Sequence, residues 1–286
     1  MDSFNTIYFK ETASKSVKHK RRSNEDLAGM MIAESIPYET GAYDNAGFFY
    51  VCDGVGMERG DVAVNIIHKV IQMPILTIMA KRYDFLNESN EHCRKTQIFN
   101  ALKEFINSVN NAMLAELEND SLGRACATIS IAFVLAGAVY TANLGDSPIL
   151  LYELNKNGIP LSDPMMMYRQ QNGAEDLVHN ANYARTDPAL KSLSNKLAPN
   201  VLGTKIDDNK IAFHHAPLKD YNLLLLGSDG GLCVVPDEDM NAILEDCSIA
   251  QNPMESFIED LYTEVEQKHE SATDNFTVIA QKIECF

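Results

Sequence analysis

"CATISIAFVLAGAVYTANLGDS", residues 126–147, is the stretch on which the reading of the fold turns. From Cys126 to Leu144 it carries no charge and is long enough to pass for a membrane span. It is also rich in β-branched and small residues, has Ala136 and Gly137 at its middle, and closes in the turn Gly145-Asp146-Ser147. That pattern belongs to two buried strands joined by a tight hairpin. We read it as a hairpin, which removes the membrane span and leaves Asp146 just beyond the end of a buried strand.

Composition agrees with a β-rich core. The chain has 286 residues, 45% of them hydrophobic, with no compositional break, so one domain over residues 1–286 is expected. Lys and Arg number 24 against 40 Asp and Glu, a net charge of −16 that disfavours nucleic acid and anionic membrane as partners. Six cysteines, Cys52, Cys93, Cys126, Cys233, Cys247 and Cys285, are scattered without a CxxC, as reduced thiols of a cytoplasmic protein are. The N-terminus lacks the apolar core of a signal peptide, and a cytoplasmic monomer is expected.

Strands are expected at Phe48–Cys52, Thr128–Leu135, Ala138–Asn143, Ile149–Leu154, Asn222–Gly227 and Phe276–Lys282, with connections short enough for antiparallel pairing. Helices are expected over Asp61–Met73, ending near Pro74, and over Gln97–Glu118, where Leu102, Phe105, Ile106, Val109, Met113 and Leu117 make one apolar stripe. Asn252-Pro253-Met254-Glu255 reads as a capping box opening another helix. Strands in blocks between helices fit an α+β layered sandwich better than a βαβ repeat. Residues 155–200 are polar and hold four prolines, the character of a surface flap, with Met165–Met167 packing it onto the body.

Four aspartates share one context. Asp53, Asp146, Asp229 and Asp274 each lie at the end of an apolar strand beside Gly, Asn or Ser. Any one of them alone would be a turn residue. Converging at one rim, they would repel one another unless a cation neutralised them, and an all-oxygen set suits magnesium or manganese rather than zinc. None of the seven histidines shows paired zinc-ligand spacing, and His214 and His215 would point to opposite faces of a strand. A fifth stretch, "KHKRRSNEDLAG" at residues 18–29, sets a basic cluster directly before Glu25 and Asp26. Such a run is ordinarily a solvated face, but an arginine there can also hold a phosphate by two parallel hydrogen bonds.

In their order, "RRSNED", "DGVG", "GDS", "SDGG" and "TDNFTV" resemble the metal-dependent PP2C-type (PPM) protein serine/threonine phosphatases, particularly bacterial ones. The resemblance spans residues 21–278. It implies a four-layer α/β/β/α sandwich, two antiparallel sheets flanked by helices, with two manganese or magnesium ions at one end. It makes Asp53 the bridging metal ligand, Gly54 a carbonyl ligand, and Asp229 and Asp274 the remaining acidic ligands. It makes Arg21 the phosphate-binding residue, Glu25 and Asp26 acids that act through water, Asp146 the ligand of a weaker third metal, and Asn275 the companion of the last ligand. The implied reaction is hydrolysis of phosphoserine and phosphothreonine in proteins by a water bridging the metals, with no protein nucleophile. Cys233 stands where many relatives carry an acid, and Met57 and Glu58 depart from the family's glycine-rich loop. The alternatives are a pseudophosphatase, using the fold as a binding module, and a hydrolase of small phosphoesters.

Overall fold

Residues 126–147 form the expected hairpin. After the short strand β4 (Cys126–Ala127), β5 (Ile129–Leu135) and β6 (Ala138–Leu144) are buried at every position. Between them Ala136 and Gly137 both take positive φ, 53° and 74°, the left-handed pair that matches a two-residue turn to the twist of its strands. The computed structural model describes residues 6–18, 21–34, 45–55, 59–119, 124–168, 171, 201–268 and 274–286.

Two antiparallel sheets stack face to face. One has the order β2-β3-β5-β6-β9, adding β2 (Asp26–Ala33), β3 (Ala46–Val55) and β9 (Ala212–Pro217), with β4 paired to the end of β3. The other has the order β1-β11-β10-β7-β8, from β1 (Ile7–Val17), β11 (Phe276–Cys285), β10 (Tyr221–Gly227), β7 (Ile149–Glu153) and β8 (Met165–Met166). Alternation decides what each side chain meets. Phe49, Val51, Ala132, Val134 and Val139 join Leu224, Leu226 and Ile279 between the sheets, while Phe48, Tyr50, Ile131, Phe133 and Tyr140 face the helices. Burial on both faces is why these strands read as unbroken apolar runs.

Helices close the two outer faces. α1 (Gly60–Val70), α2 (Gln72–Ala80), α3 (Arg82–Asn87) and α4 (Glu91–Asn119) cover the first sheet, and the predicted stripe of α4 is buried throughout. α5 (Asp237–Cys247) and α6 (Pro253–Lys268) cover the second. The layers are therefore α/β/β/α, as expected.

Several expectations need correction. Pro74 does not end a helix: α1 stops at Val70, and Pro74 sits in the first turn of α2, where a missing N–H leaves no bond unmade. The box at Asn252 closes between side chains, its amide donating to the Glu255 carboxylate at 2.9 Å. Of the methionine run only Met167 is buried; Met165 and Met166 are exposed on the edge strand β8. The rest of the expected flap, residues 172–200, lies outside the described residues. All six cysteines are free, and among the described residues no single helix is long and apolar enough to cross a membrane.

Candidate metal centre

The β2–β3 register sets Asp26 directly opposite Asp53. Like charges in facing positions destabilise an antiparallel pair, so this register needs a compensating charge. Two hydrogen bonds fix the end of β3: the Asp53 N–H donates to the Thr128 hydroxyl at 2.9 Å, and the Thr128 N–H to the Asp53 carbonyl at 2.8 Å. Gly54 follows, its N–H donating to the Glu25 carbonyl at 2.7 Å. A Cβ on Gly54 would stand 2.5 Å from the Gly60 carbonyl, so the approach of β3 to the start of α1 requires glycine.

The second sheet brings its acids to the same rim. β10 and β11 pair Gly227 with Val278, so Asp229, just past β10, and Asp274, just before β11, leave their strands side by side. Asp229 opens a single π-helical turn and accepts the Gly230 N–H at 2.6 Å. A Cβ on Gly230 would fall 2.3 Å from the Asn275 carbonyl, so the turn lies against the backbone before β11 only because Gly230 lacks one.

Asn275 is buried and ties the chain between β1 and β2 to this point. Its side-chain amide donates to the carbonyls of Lys18, at 2.9 Å, and Ser23, at 3.1 Å, and its oxygen accepts the Glu25 N–H at 2.9 Å. Lys18 and Ser23 are thereby tied to Asn275, with exposed Arg21 against Asp274, the two at 2.7 Å. That bond holds the Arg21 guanidinium above its ordinary pKa, against the opposing effect of partial burial.

Asp146 lies further along the rim. It follows Gly145, whose φ of +103° makes the turn after β6, and precedes buried Ser147, whose hydroxyl is 2.7 Å from that of Thr128. Gln171 secures the turn, its backbone N–H donating to the Gly145 carbonyl at 3.2 Å and its amide to the Lys210 carbonyl at 2.8 Å. Tyr168 lies beside Cys233, its hydroxyl held above its ordinary pKa by burial and then by that neighbouring thiol. The sequence reading did not find Thr128, Tyr168 or Gln171. Each acts through a partner distant in sequence, which no local pattern announces.

Electrostatics shows what the cluster lacks. Burial, then the Asp229 and Asp274 charges, pushes Asp26 up to about 7. Asp53 is held well above the usual carboxylate range by burial and by the charges of Asp26, Asp229 and Asp274 in turn. Asp229 is raised by burial, and Asp146 reaches about 7, again mainly by burial with the Asp229 charge adding. Glu25 is raised by partial burial, which Arg21 opposes. Both carboxylate oxygens of Asp26 are sealed from solvent without a hydrogen-bond partner.

Among the described residues no three acid, His or Cys side chains close round one point at ion-binding distance, and Arg21 is the cation paired with one of the acids, Asp274. The donor set nevertheless fits hard divalent cations: all oxygen, like-charged, and with orphaned acceptors at its centre. Arg21, Glu25, Asp26, Asp53, Gly54, Asp229 and Asp274 are thus gathered at one end of the sandwich, with Asp146 on its Asp229 side.

The profile of the family described as "Protein phosphatase 2C" matches residues 12–170. No curated protein matches the chain. Solved structures share the fold from end to end. A bacterial serine phosphatase is 21% identical, with a TM-score of 0.68 over 97% of this chain and 98% of its own. Stp1 of Staphylococcus aureus, a serine/threonine phosphatase, is 20% identical, with a TM-score of 0.66 over 95% of this chain and 94% of its own. The catalytic domain of the serine/threonine protein phosphatase PstP, solved in complex with 2 manganese ions, is 17% identical, with a TM-score of 0.64 over 98% and 100%.

Proposed function

This chain belongs to the protein phosphatase 2C family, a family of protein serine/threonine phosphatases, and from that premise we propose how its residues divide the work. Asp53, the Gly54 carbonyl, Asp229 and Asp274 hold two divalent cations, manganese or magnesium, and Asp146 serves a third, weaker site. When bound, the cations supply an acidified water for in-line attack on phosphorus and positive charge beside the phosphoryl oxygens. Arg21 grips those oxygens through its planar fork. Asp26 and Glu25 orient water and hold its proton, the task for which the free oxygens of Asp26 are placed.

One observation carries this reading: acids from both sheets meet at one rim, with Asp26 and Asp53 in register on one sheet and Asp229 and Asp274 leaving adjacent strands of the other. A binding module has no need of so costly a cluster. Ser147 and Ser228 are buried, the Ser147 hydroxyl paired with that of Thr128 and the Ser228 hydroxyl accepting the Thr277 N–H, which supports a reaction without a protein nucleophile. The manganese recorded with PstP supports the choice of ion. The free cysteines suit a reducing cytoplasm, and a phosphorylated protein is the substrate we assign.

The test is turnover of an aryl phosphate and a phosphothreonine peptide with manganese, with and without chelator, for the native chain and Asp229→Asn. We expect chelation to abolish both activities and the substitution to lower them at least about a hundredfold. Activity that survives chelator, or that Asp229→Asn leaves intact, would sink the assignment. Ion binding without turnover would favour the pseudophosphatase.

A further inference from the structure

The basic residues before Arg21 fall into two groups. Along β1 they are engaged: Lys10 pairs with Glu284 at 3.4 Å, and Lys15 pairs with Glu259 while lying over the Tyr262 ring. Past the end of β1 the pattern changes. Arg21 meets Asp274, but the exposed side chains of Lys18 and Arg22 make no ion pair or hydrogen bond among the described residues. What sets these two apart from the other unpaired cations is their place beside Arg21.

Exposure alone would make them a solvated face. The backbone beneath them argues for more. The buried Asn275 amide grips the carbonyl of Lys18 itself and that of Ser23, next after Arg22, and the Arg21 N–H donates to the Lys18 carbonyl at 3.0 Å. Lys18 and Arg22 are therefore carried on the same fixed loop as the arginine assigned to the phosphate. Arg22 is its immediate neighbour in the chain.

Resting on the phosphatase reading above, we propose that Lys18 and Arg22 form a second anion subsite beside Arg21. It receives an Asp, a Glu or a second phosphate near the phosphorylated residue of the substrate. Extended residues advance about 3.4 Å each, so an anion within about three residues of the phosphate lies within about 10 Å of it. That span falls within the reach of two long side chains and close to one Debye length at physiological salt. Elsewhere the net negative charge of the protein opposes such a substrate; at this loop the sign reverses and steers it in.

The test compares phosphothreonine peptides flanked by Ala, by Asp, by Lys and by a second phosphothreonine, with an aryl phosphate as reference. Native protein, Lys18→Glu, Arg22→Glu and the double variant are assayed with manganese, and kcat/KM for each peptide is divided by that for the aryl phosphate. We expect the native protein to prefer the Asp-flanked peptide over the Ala-flanked one by about threefold to fivefold for each cation at low salt. The double variant should abolish or invert that preference. The diphosphorylated peptide identifies which anion is favoured. Equal ratios across the native panel, or a preference untouched by the double variant, overturn the subsite. Aryl phosphate turnover without peptide turnover instead overturns the protein-phosphatase reading. In that case, and in the absence of any turnover, peptide binding to Asp229→Asn by fluorescence anisotropy still reads the flanking preference and decides the subsite.

Discussion

Asp26 faces Asp53 across one antiparallel pair, and the Asp229 charge adds to theirs at the same rim. Three acids gathered at one largely desolvated rim, Asp26 buried and Asp53 and Asp229 half-buried, are unfavourable for the folded chain until a cation arrives. Asp53→Asn should therefore stabilise the chelated protein while destroying its activity. We expect its melting temperature in chelator to rise by about 3–6 °C, on the order of 1–2 kcal/mol, and manganese-dependent turnover to fall at least about a hundredfold. A lower melting temperature for the variant would show that the acids are not a strain on the fold. The opposite kind of residue is Asn275, whose side chain satisfies Lys18, Ser23 and Glu25 at once. Asn275→Ala leaves those three backbone groups without their partner and should destabilise the protein by about 2–4 kcal/mol in urea. Turnover should fall with it, because the loop that carries Arg21 is no longer fixed; unchanged stability would mean that the loop is held by other means.

Among the elements, the turn after β10 sits closest to its limit. Gly230→Ala drives a methyl group into the Asn275 carbonyl, so the turn must retreat from β11 and take Asp229 with it. A loss of about 1–3 kcal/mol is expected, with weaker manganese binding by calorimetry; a variant that binds manganese as the native chain does would show that the contact is relieved without moving Asp229. How far such elements can be read in a sequence depends on where their partners are. β5, β6 and β10 are buried on both faces, so apolar content alone marks them, and "SDGG" is legible because its glycines mark a tight turn at the strand end. β1 is different. At the edge of its sheet it alternates buried and solvated positions, and its Lys, Thr and Ser hide a strand of 11 residues behind the look of a polar tail. β2 and β9 are edge strands too, with few fully buried residues, and neither was read. The break between α1 and α2 was misplaced because Pro74 reads as a stop, whereas the first turn of a helix tolerates it. At the centre itself the acids were legible by type and context. Their clamp was not: Glu25 lies 250 positions from Asn275, a pairing made by the closing of β1 on β11.

Taken over the whole molecule, the acid rim couples folding to pH and to metal. The raised carboxyls bind protons more tightly folded than unfolded: Asp26 and Asp146 rise from 3.8 to about 7, and Asp53 and Asp229 also rise. Where the folded state holds more protons, stability falls as pH increases. The stabilisation is thus complete below about pH 4 with respect to these groups, drains away through the window up to about pH 7, and is gone above it. Other groups act at the acid extreme, so the comparison belongs between pH 5.5 and 8. In chelator the melting temperature should be higher at pH 5.5 than at pH 8, by on the order of 3 kcal/mol of stability. Manganese replaces those protons, so its binding must release them and must stabilise more at the higher pH. Saturating manganese should therefore raise the melting temperature several degrees more at pH 8 than at pH 5.5. Calorimetry near pH 6.5 in buffers of different ionisation enthalpy should count protons leaving as the ion enters. An equal thermal shift at both pH values, with no proton released, would mean that the ion does not bind at these carboxyls.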